Sequence, residues 1–128
     1  MMPRLTEAKG YRAMPEVTIY HNPRCSKSRQ TLALLEERGI EATVVPYLEE
    51  PPSAATIAQL LDMLGLEPRG LMRTKEAAYR ELGLAEVDDV DALIGAMVAN
   101  PILIERPIVV SGGRAALGRP PEQVLEIL

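Results

Sequence analysis

Residues 17–47 read VTIYHNPRCSKSRQTLALLEERGIEATVVPY, and this stretch decides the fold. VTIY at 17–20 is β-branched and aromatic, the composition of a strand. HNPRCSKS carries the Pro and Asn of a loop. In SRQTLALLEERG, Leu32 and Leu35 fall three apart with Leu34 beside them. Gln30, Glu36, Glu37 and Arg38 are polar, and Gly39 is a natural stop, so the segment predicts a helix. TVVPY at 43–47 predicts a second strand, with Pro46 marking an edge position or a strand end. Strand, helix and strand within about 30 residues have the length of a parallel crossover unit.

Ser53 reads as a cap for a helix bearing Ile57, Leu60, Leu61 and Leu64 on one stripe and ended by Gly65. A turn near Pro68 and a helix over roughly 74–81 follow. DDVDALIGAMVA at 88–99 predicts another helix, with acids in the first turn where its dipole favours them. ILI at 102–104 and IVV at 108–110 are apolar runs separated by Glu105-Arg106-Pro107. SGG at 111–113 predicts a tight turn that returns RAAL as the second arm of a hairpin. Pro120 and Pro121 open a last helix, PEQVLEIL. The order is β–α–β, a helical insertion, then β–β–α. It predicts an α/β fold in which a small mixed sheet is flanked by helices.

The 128 residues amount to one domain, and 47% of them are hydrophobic, enough for one core. Residues 1–13 hold Arg4, Lys9 and Arg12 against Glu7 and read as a flexible arm or a mis-assigned start, leaving a single domain over 14–128. The formal charge is −4, Trp and Phe are absent, and only four tyrosines remain. That balance argues against nucleic-acid binding by phosphate contacts or base stacking. No run approaches the ~18 apolar residues of a membrane span, and no signal-peptide core is seen, so the expected compartment is the cytoplasm. A single cysteine, Cys25, excludes an internal disulfide, and together with the single histidine, His21, it makes a zinc site improbable. No bound cofactor is expected. No long apolar stripe is left over once the core is assigned, so a monomer is expected.

Cys25 falls between a strand and a helix start. The amides of a first helical turn have no internal partners and favour negative charge, so a thiolate there is stabilised. At an ordinary thiol pKa only about 3% would be thiolate at pH 7. HNPRCSKSR also sets Arg24, Lys27, Arg29 and His21 around the cysteine inside an otherwise acidic chain, with hydroxyls from Ser26 and Ser28. This combination suits an anion cradle beside a thiolate. The bland alternative is a buried structural cysteine, which the polar flanks disfavour. A CxxC dithiol is excluded by Ser28, and a phosphatase-type loop by Thr31 where its arginine would stand. A cysteine-protease pair would need a histidine elsewhere in the fold. What remains is a lone nucleophilic thiolate that must be resolved by a thiol from another molecule.

The loop HNPRCSKSR, following VTIY, resembles that of the glutathione- and glutaredoxin-dependent arsenate reductases. GLMRTKEAAYRELGL at 70–84, NPILIERPIVV at 100–110 and GRPPEQVLEIL at 118–128 are similar to three further blocks of that family, in the same order. The likeness runs from about Pro15 to Leu128. It implies a thioredoxin-like fold and a reaction in which the cysteine thiolate attacks arsenate. Glutathione displaces and reduces the adduct, glutaredoxin resolves the mixed species, and arsenite leaves. Arsenate, glutathione as co-substrate and glutaredoxin are thus the implied partners.

By the same resemblance Cys25 is the nucleophile and His21 helps to lower its pKa, with a loop-capping role as the alternative for His21. Ser28 and Arg29 align with anion-loop residues, against a helix-cap hydroxyl and a solvated charge. Arg73, Arg106 and Arg119 align with arginines that hold the oxyanion and its intermediates, a task suited to bidentate guanidinium forks. Pro107 stands where thioredoxin-like folds place a cis proline facing the cysteine loop. SGGRAAL departs from the family's longer turn, and Arg24 and Lys27 add charge to the loop. Two other functions compete: a single-thiol glutathione-linked oxidoreductase of another substrate, and an Spx-like regulator. The regulator is associated with a CxxC pair, which this chain lacks.

Overall fold

A computed structural model describes residues 16–128, so the expected arm at 1–13 lies outside the described residues. β1 (Val17–Tyr20) pairs in parallel with β2 (Thr43–Val45) and antiparallel with β3 (Ile108–Ser111), which pairs antiparallel with β4 (Arg114–Leu117). The order is β2-β1-β3-β4, a mixed four-stranded sheet. β2 is an edge strand and ends one residue before Pro46, which has no N–H to give a ladder. Gly112 and Gly113 form the β3–β4 turn with φ of 57° and 79°, left-handed values that disfavour a β-carbon.

The two faces of the sheet carry two cores. Successive side chains on a strand point to opposite faces. On β3, Ile108 therefore joins one cluster and Val109 the other, and both are fully buried. The first cluster contains Tyr47, Ile57, Leu60, Leu71, Met97 and Leu103. It is built by helices α2 (Ala54–Leu64), α3 (Ala77–Glu81) and α4 (Val90–Ala99). The second holds Val17, Ile19, Leu35, Ala116 and Val124, under helix α1 (Ser26–Glu37) and the C-terminal segment. Ser53 and Gly65 cap α2 as expected, whereas Asp89, expected in the first turn of a helix over 88–99, is the N-cap of a helix that begins at Val90. Ser53 accepts from the Thr56 amide at 3.1 Å, Asp89 accepts from the Ala92 amide at 2.9 Å, and Gly65 ends α2 at φ 68°.

Two helices differ from expectation. The helix expected over 74–81 is shorter: residues 73–76 form a turn, with the Glu76 amide on the Arg73 carbonyl, and α-helix begins at Ala77. The last helix is a 3-10 helix, Pro121–Ile127. Its three-residue repeat stacks Pro121, Val124 and Ile127 on one side, and that side packs on the second core. The apolar ILI run adds no strand to the sheet. Pro101–Leu103 is a 3-10 turn, and Ile104 forms a lone antiparallel bridge with Met72.

Candidate active site at the converging strand ends

Sheet register brings distant segments to one end of the molecule. Tyr20, the last residue of β1, faces Val45 at the end of β2 and Ile108 at the start of β3, and Ile108 faces Leu117 at the end of β4. The segments just beyond these residues meet there: the His21–Cys25 loop, Tyr47, Arg106-Pro107 and Gly118-Arg119. Around the antiparallel Met72–Ile104 bridge the Arg73 amide donates to the Leu103 carbonyl and the Glu105 amide to the Leu71 carbonyl, both at 2.7 Å, which fixes the two backbones whose Arg73 and Glu105 line one cavity. The Arg106–Pro107 bond is cis, the state expected for it; Arg119–Pro120 is cis as well. Gly118 donates its amide to the Pro107 carbonyl at 3.0 Å. A β-carbon on Gly118 would lie 2.7 Å from Pro107 Cγ and collide with Thr31 Oγ1.

Cys25 is the N-cap of α1 and is buried. Its carbonyl accepts the first intrahelical bond, from the Arg29 amide at 3.0 Å. The Lys27 and Ser28 amides have no carbonyl of the helix to bond and favour negative charge on the thiol. Burial pushes the thiol pKa up. The Ser28 amide, the Arg106 guanidinium, the Lys27 amide and the Arg119 guanidinium outweigh it, so the net shift is downward. No acidic side chain stands in the first turn of α1 to oppose this. The loop is braced from within. The Cys25 amide bonds the Asn22 carbonyl at 3.0 Å, Asn22 Oδ1 accepts from the Arg24 amide at 2.9 Å, and Arg29 Nη1 donates to the Pro23 carbonyl at 2.9 Å.

His21 lies under the loop. Its Nδ1 is 2.6 Å from Ser28 Oγ, which also accepts from the Asn22 amide at 3.0 Å. Burial and the nearby Arg29 guanidinium lower the His21 pKa and favour the neutral ring. The geometry suits a Ser28 hydroxyl that donates to Nδ1. The charges that act on the thiol are therefore those of Arg106 and Arg119, and His21 reaches the loop through Ser28.

Arg73, Arg106 and Arg119 line one cavity of about 390 Å³, together with Met72, Thr74, Lys75, Glu76 and Glu105. Two carboxylates hold these arginines: Arg73 Nη2 is 2.6 Å from Glu76 Oε2, and Arg106 Nη1 is 2.9 Å from Glu105 Oε1. Arg29 does not line this cavity and serves the loop carbonyl of Pro23.

Among the described residues, two buried side-chain polar atoms lack a partner, Arg106 Nε and the Tyr47 hydroxyl. Tyr47 is fully buried. Burial pushes its pKa up, while Arg106, Asn22 and Arg73 oppose the shift. The Asn22 side chain is close to the phenol but short of hydrogen-bond geometry. An orphaned phenol costs free energy unless something accepts its proton. Sequence reasoning missed both Tyr47 and Glu105. The only available signal was the adjacency of Tyr47 to a strand end and of Glu105 to Arg106. Among the described residues no group of three His, Cys, Asp or Glu could hold a metal ion, and no helix is long and apolar enough to cross a membrane.

A lone cysteine capping a helix and a cis Arg106–Pro107 bond, on a mixed sheet with an inserted helical block, define a thioredoxin-like fold with a cavity lined by three arginines. Residues 20–127 match the ArsC family, and the chain belongs to it. It is 61% identical over 115 residues to the uncharacterized protein YfgD of Escherichia coli K12, covering 88% of this chain and 97% of that one. It is 52% identical over 117 residues to an arsenate reductase of Neisseria meningitidis, covering 90% of this chain and all of that one. A solved arsenate reductase from Vibrio cholerae superposes with a TM-score of 0.88 at 56% identity, over 91% of this chain and all of that one.

Proposed function

We propose that this chain reduces arsenate to arsenite through Cys25. The observation that carries the reading is the single thiol at the α1 N-terminus, acted on by Arg106 and Arg119, which line the same cationic cavity as Arg73. Arsenate is a tetrahedral oxyanion, and guanidinium forks bind such groups in a bidentate way. The arsenate reductases among the relatives favour this substrate over other oxyanions.

In the first step the Cys25 thiolate attacks arsenic(V). A sulfur–arsenic bond forms, one arsenic–oxygen bond breaks, and the departing hydroxide is protonated to water. Arg106 and Arg119 offset the charge that gathers on the remaining oxygens. Arg73, which lines the same cavity, adds a third guanidinium. The chain has one cysteine, so the second thiol comes from outside. Glutathione thiolate attacks Cys25 Sγ, a disulfide forms, and the sulfur–arsenic electron pair stays on arsenic. Arsenic(V) becomes arsenic(III) and leaves as arsenite, while two thiols become one disulfide. Glutaredoxin then takes the glutathionyl group and frees Cys25.

A single-turnover experiment tests this reading. The protein, arsenate and glutathione, without glutaredoxin, should give one arsenite for each Cys25–glutathione disulfide, read by intact mass, and Cys25→Ser should give neither. Arsenite without modified Cys25, or from the serine variant, would overturn it.

A further inference from the structure

Glu105 is an acid in a cavity otherwise built to hold an anion. One of its oxygens, Oε1, takes the contacts from the two arginines: Arg106 Nη1 at 2.9 Å, the neutral Arg106 backbone amide at 3.4 Å and Arg119 Nε at 3.8 Å. Among the described residues Oε2 has no hydrogen-bond partner, and it is not a buried unpartnered atom, while the Glu105 side chain lines the cavity. The Glu105 backbone is fixed by its amide bond to the Leu71 carbonyl beside the Met72–Ile104 bridge, so the carboxylate is held in place rather than draped over the surface. Glu76 differs, because it pairs with Arg73, which is not among the groups that act on the thiol. Arg106 and Arg119 are, and Glu105 meets both, so on the reading above an oxyanion that reacts with Cys25 would sit against these arginines and this carboxylate.

We propose that Glu105 is a specificity-determining residue that admits oxyanions still carrying a proton and rejects fully ionised ones. Arsenate and phosphate keep an acidic O–H near neutral pH. Turned toward Oε2, that group donates a charge-assisted hydrogen bond. Sulfate has no such proton, so one of its oxygens would meet the carboxylate as like charge against like charge. Selectivity then comes from the repulsive element as much as from the attractive one. A site that hydrogen-bonds a substrate hydroxyl can reject an analogue lacking it strongly. The four cations of the cavity (Arg73, Lys75, Arg106 and Arg119) would otherwise favour any tetrahedral dianion.

The proposal rests on this cavity being the oxyanion site of the reading above, and its test separates the two. The rate at which iodoacetamide alkylates Cys25 is measured at neutral pH, without glutathione, against sodium arsenate, phosphate and sulfate. Arsenate and phosphate should protect the wild-type thiol at concentrations at least about tenfold below those needed for sulfate. Glu105→Gln keeps the shape and can donate to sulfate, and Glu105→Ala removes the carboxylate outright. Both should bring sulfate to within about threefold of phosphate. A residue that only steadies the two arginines would weaken all anions together and leave the ratio unchanged, and that result overturns the role of Glu105 alone. If no anion protects the wild-type thiol, the oxyanion-site reading fails and the selectivity falls with it.

Discussion

Ser28 Oγ and His21 Nδ1 lie 2.6 Å apart beneath the Cys25 loop, and the same hydroxyl accepts the Asn22 amide. This contact ties the end of β1 to the first turn of α1. It is best made by a neutral imidazole, which accepts at Nδ1. The His21 pKa is lowered by burial and then by Arg29, so the folded protein resists protonation there more than the unfolded chain does. The unfolded chain therefore binds more protons, and stability rises with pH across this window. The contribution is fully present above the ordinary histidine pKa and is lost as pH falls from there through the lower folded value. Chemical denaturation between mildly acidic and neutral pH should show this slope, and His21→Gln should flatten it. Equal slopes in the two proteins would contradict the neutral-ring assignment.

The Cys25 thiol should titrate below the ordinary range. Burial acts against this, and the Ser28 amide, Arg106, the Lys27 amide and Arg119 act for it. Arg106→Gln and Arg119→Gln should each raise the midpoint of the alkylation rate against pH, and the thiolate absorbance should move with it. Thiolate stabilisation adds to folding stability above the unfolded thiol pKa and fades as pH falls through the folded one. A midpoint that neither substitution moves would remove the arginines from the account.

Tyr47→Phe should raise stability. The phenol is fully buried without a partner, so deleting its oxygen removes a desolvation cost on the order of 1 kcal/mol and should raise the unfolding free energy. Tyr47 belongs to the first core and does not line the cavity, so kcat/KM for arsenate should stay near the wild-type value. A loss of stability would mean that the hydroxyl has a partner, and a large loss of kcat/KM would place it at the site.

Arg106→Lys should be damaging despite its retained charge. The guanidinium meets Glu105 through Nη1 and leaves Nε free, a planar arrangement that a lysine ammonium cannot reproduce. A loss of about 1–3 kcal/mol in transition-state binding, on the order of ten- to a hundredfold in kcat/KM, is expected. Wild-type kinetics would argue against bidentate binding.

Gly118→Ala should perturb the site from behind. The added methyl would press on Pro107 and Thr31, at the turn that carries Arg119. Thermal unfolding should show a cost of about 1–3 kcal/mol, with a higher KM for arsenate. A neutral substitution would mean that the approach of the two loops is not needed.

The first β–α–β unit was legible because its strands are β-branched and aromatic, its helix carries leucines among polar residues, and its stops are chemically explicit. Ser53 and Gly65 announced their caps. The 3-10 form of residues 121–127 was not legible, because Pro121, Val124 and Ile127 at spacing three suit a helix of either kind until they meet the core. The Cys25 loop was readable from its charge pattern, and Arg73, Arg106 and Arg119 were singled out only through the family blocks. Their convergence depends on sheet register, which no local pattern encodes. Tyr47 read as a strand end, and Glu105 as an ordinary charge beside Arg106. Only burial of the first and the two-arginine setting of the second distinguish them.

The most direct test of the central claim is NADPH oxidation coupled through glutathione reductase, glutathione and glutaredoxin, with and without arsenate, beside a Cys25→Ser control. The account predicts oxidation that requires arsenate and is absent in the serine variant. A folded protein with a reactive thiol and no response to arsenate would contradict it and leave a single-thiol oxidoreductase of another substrate.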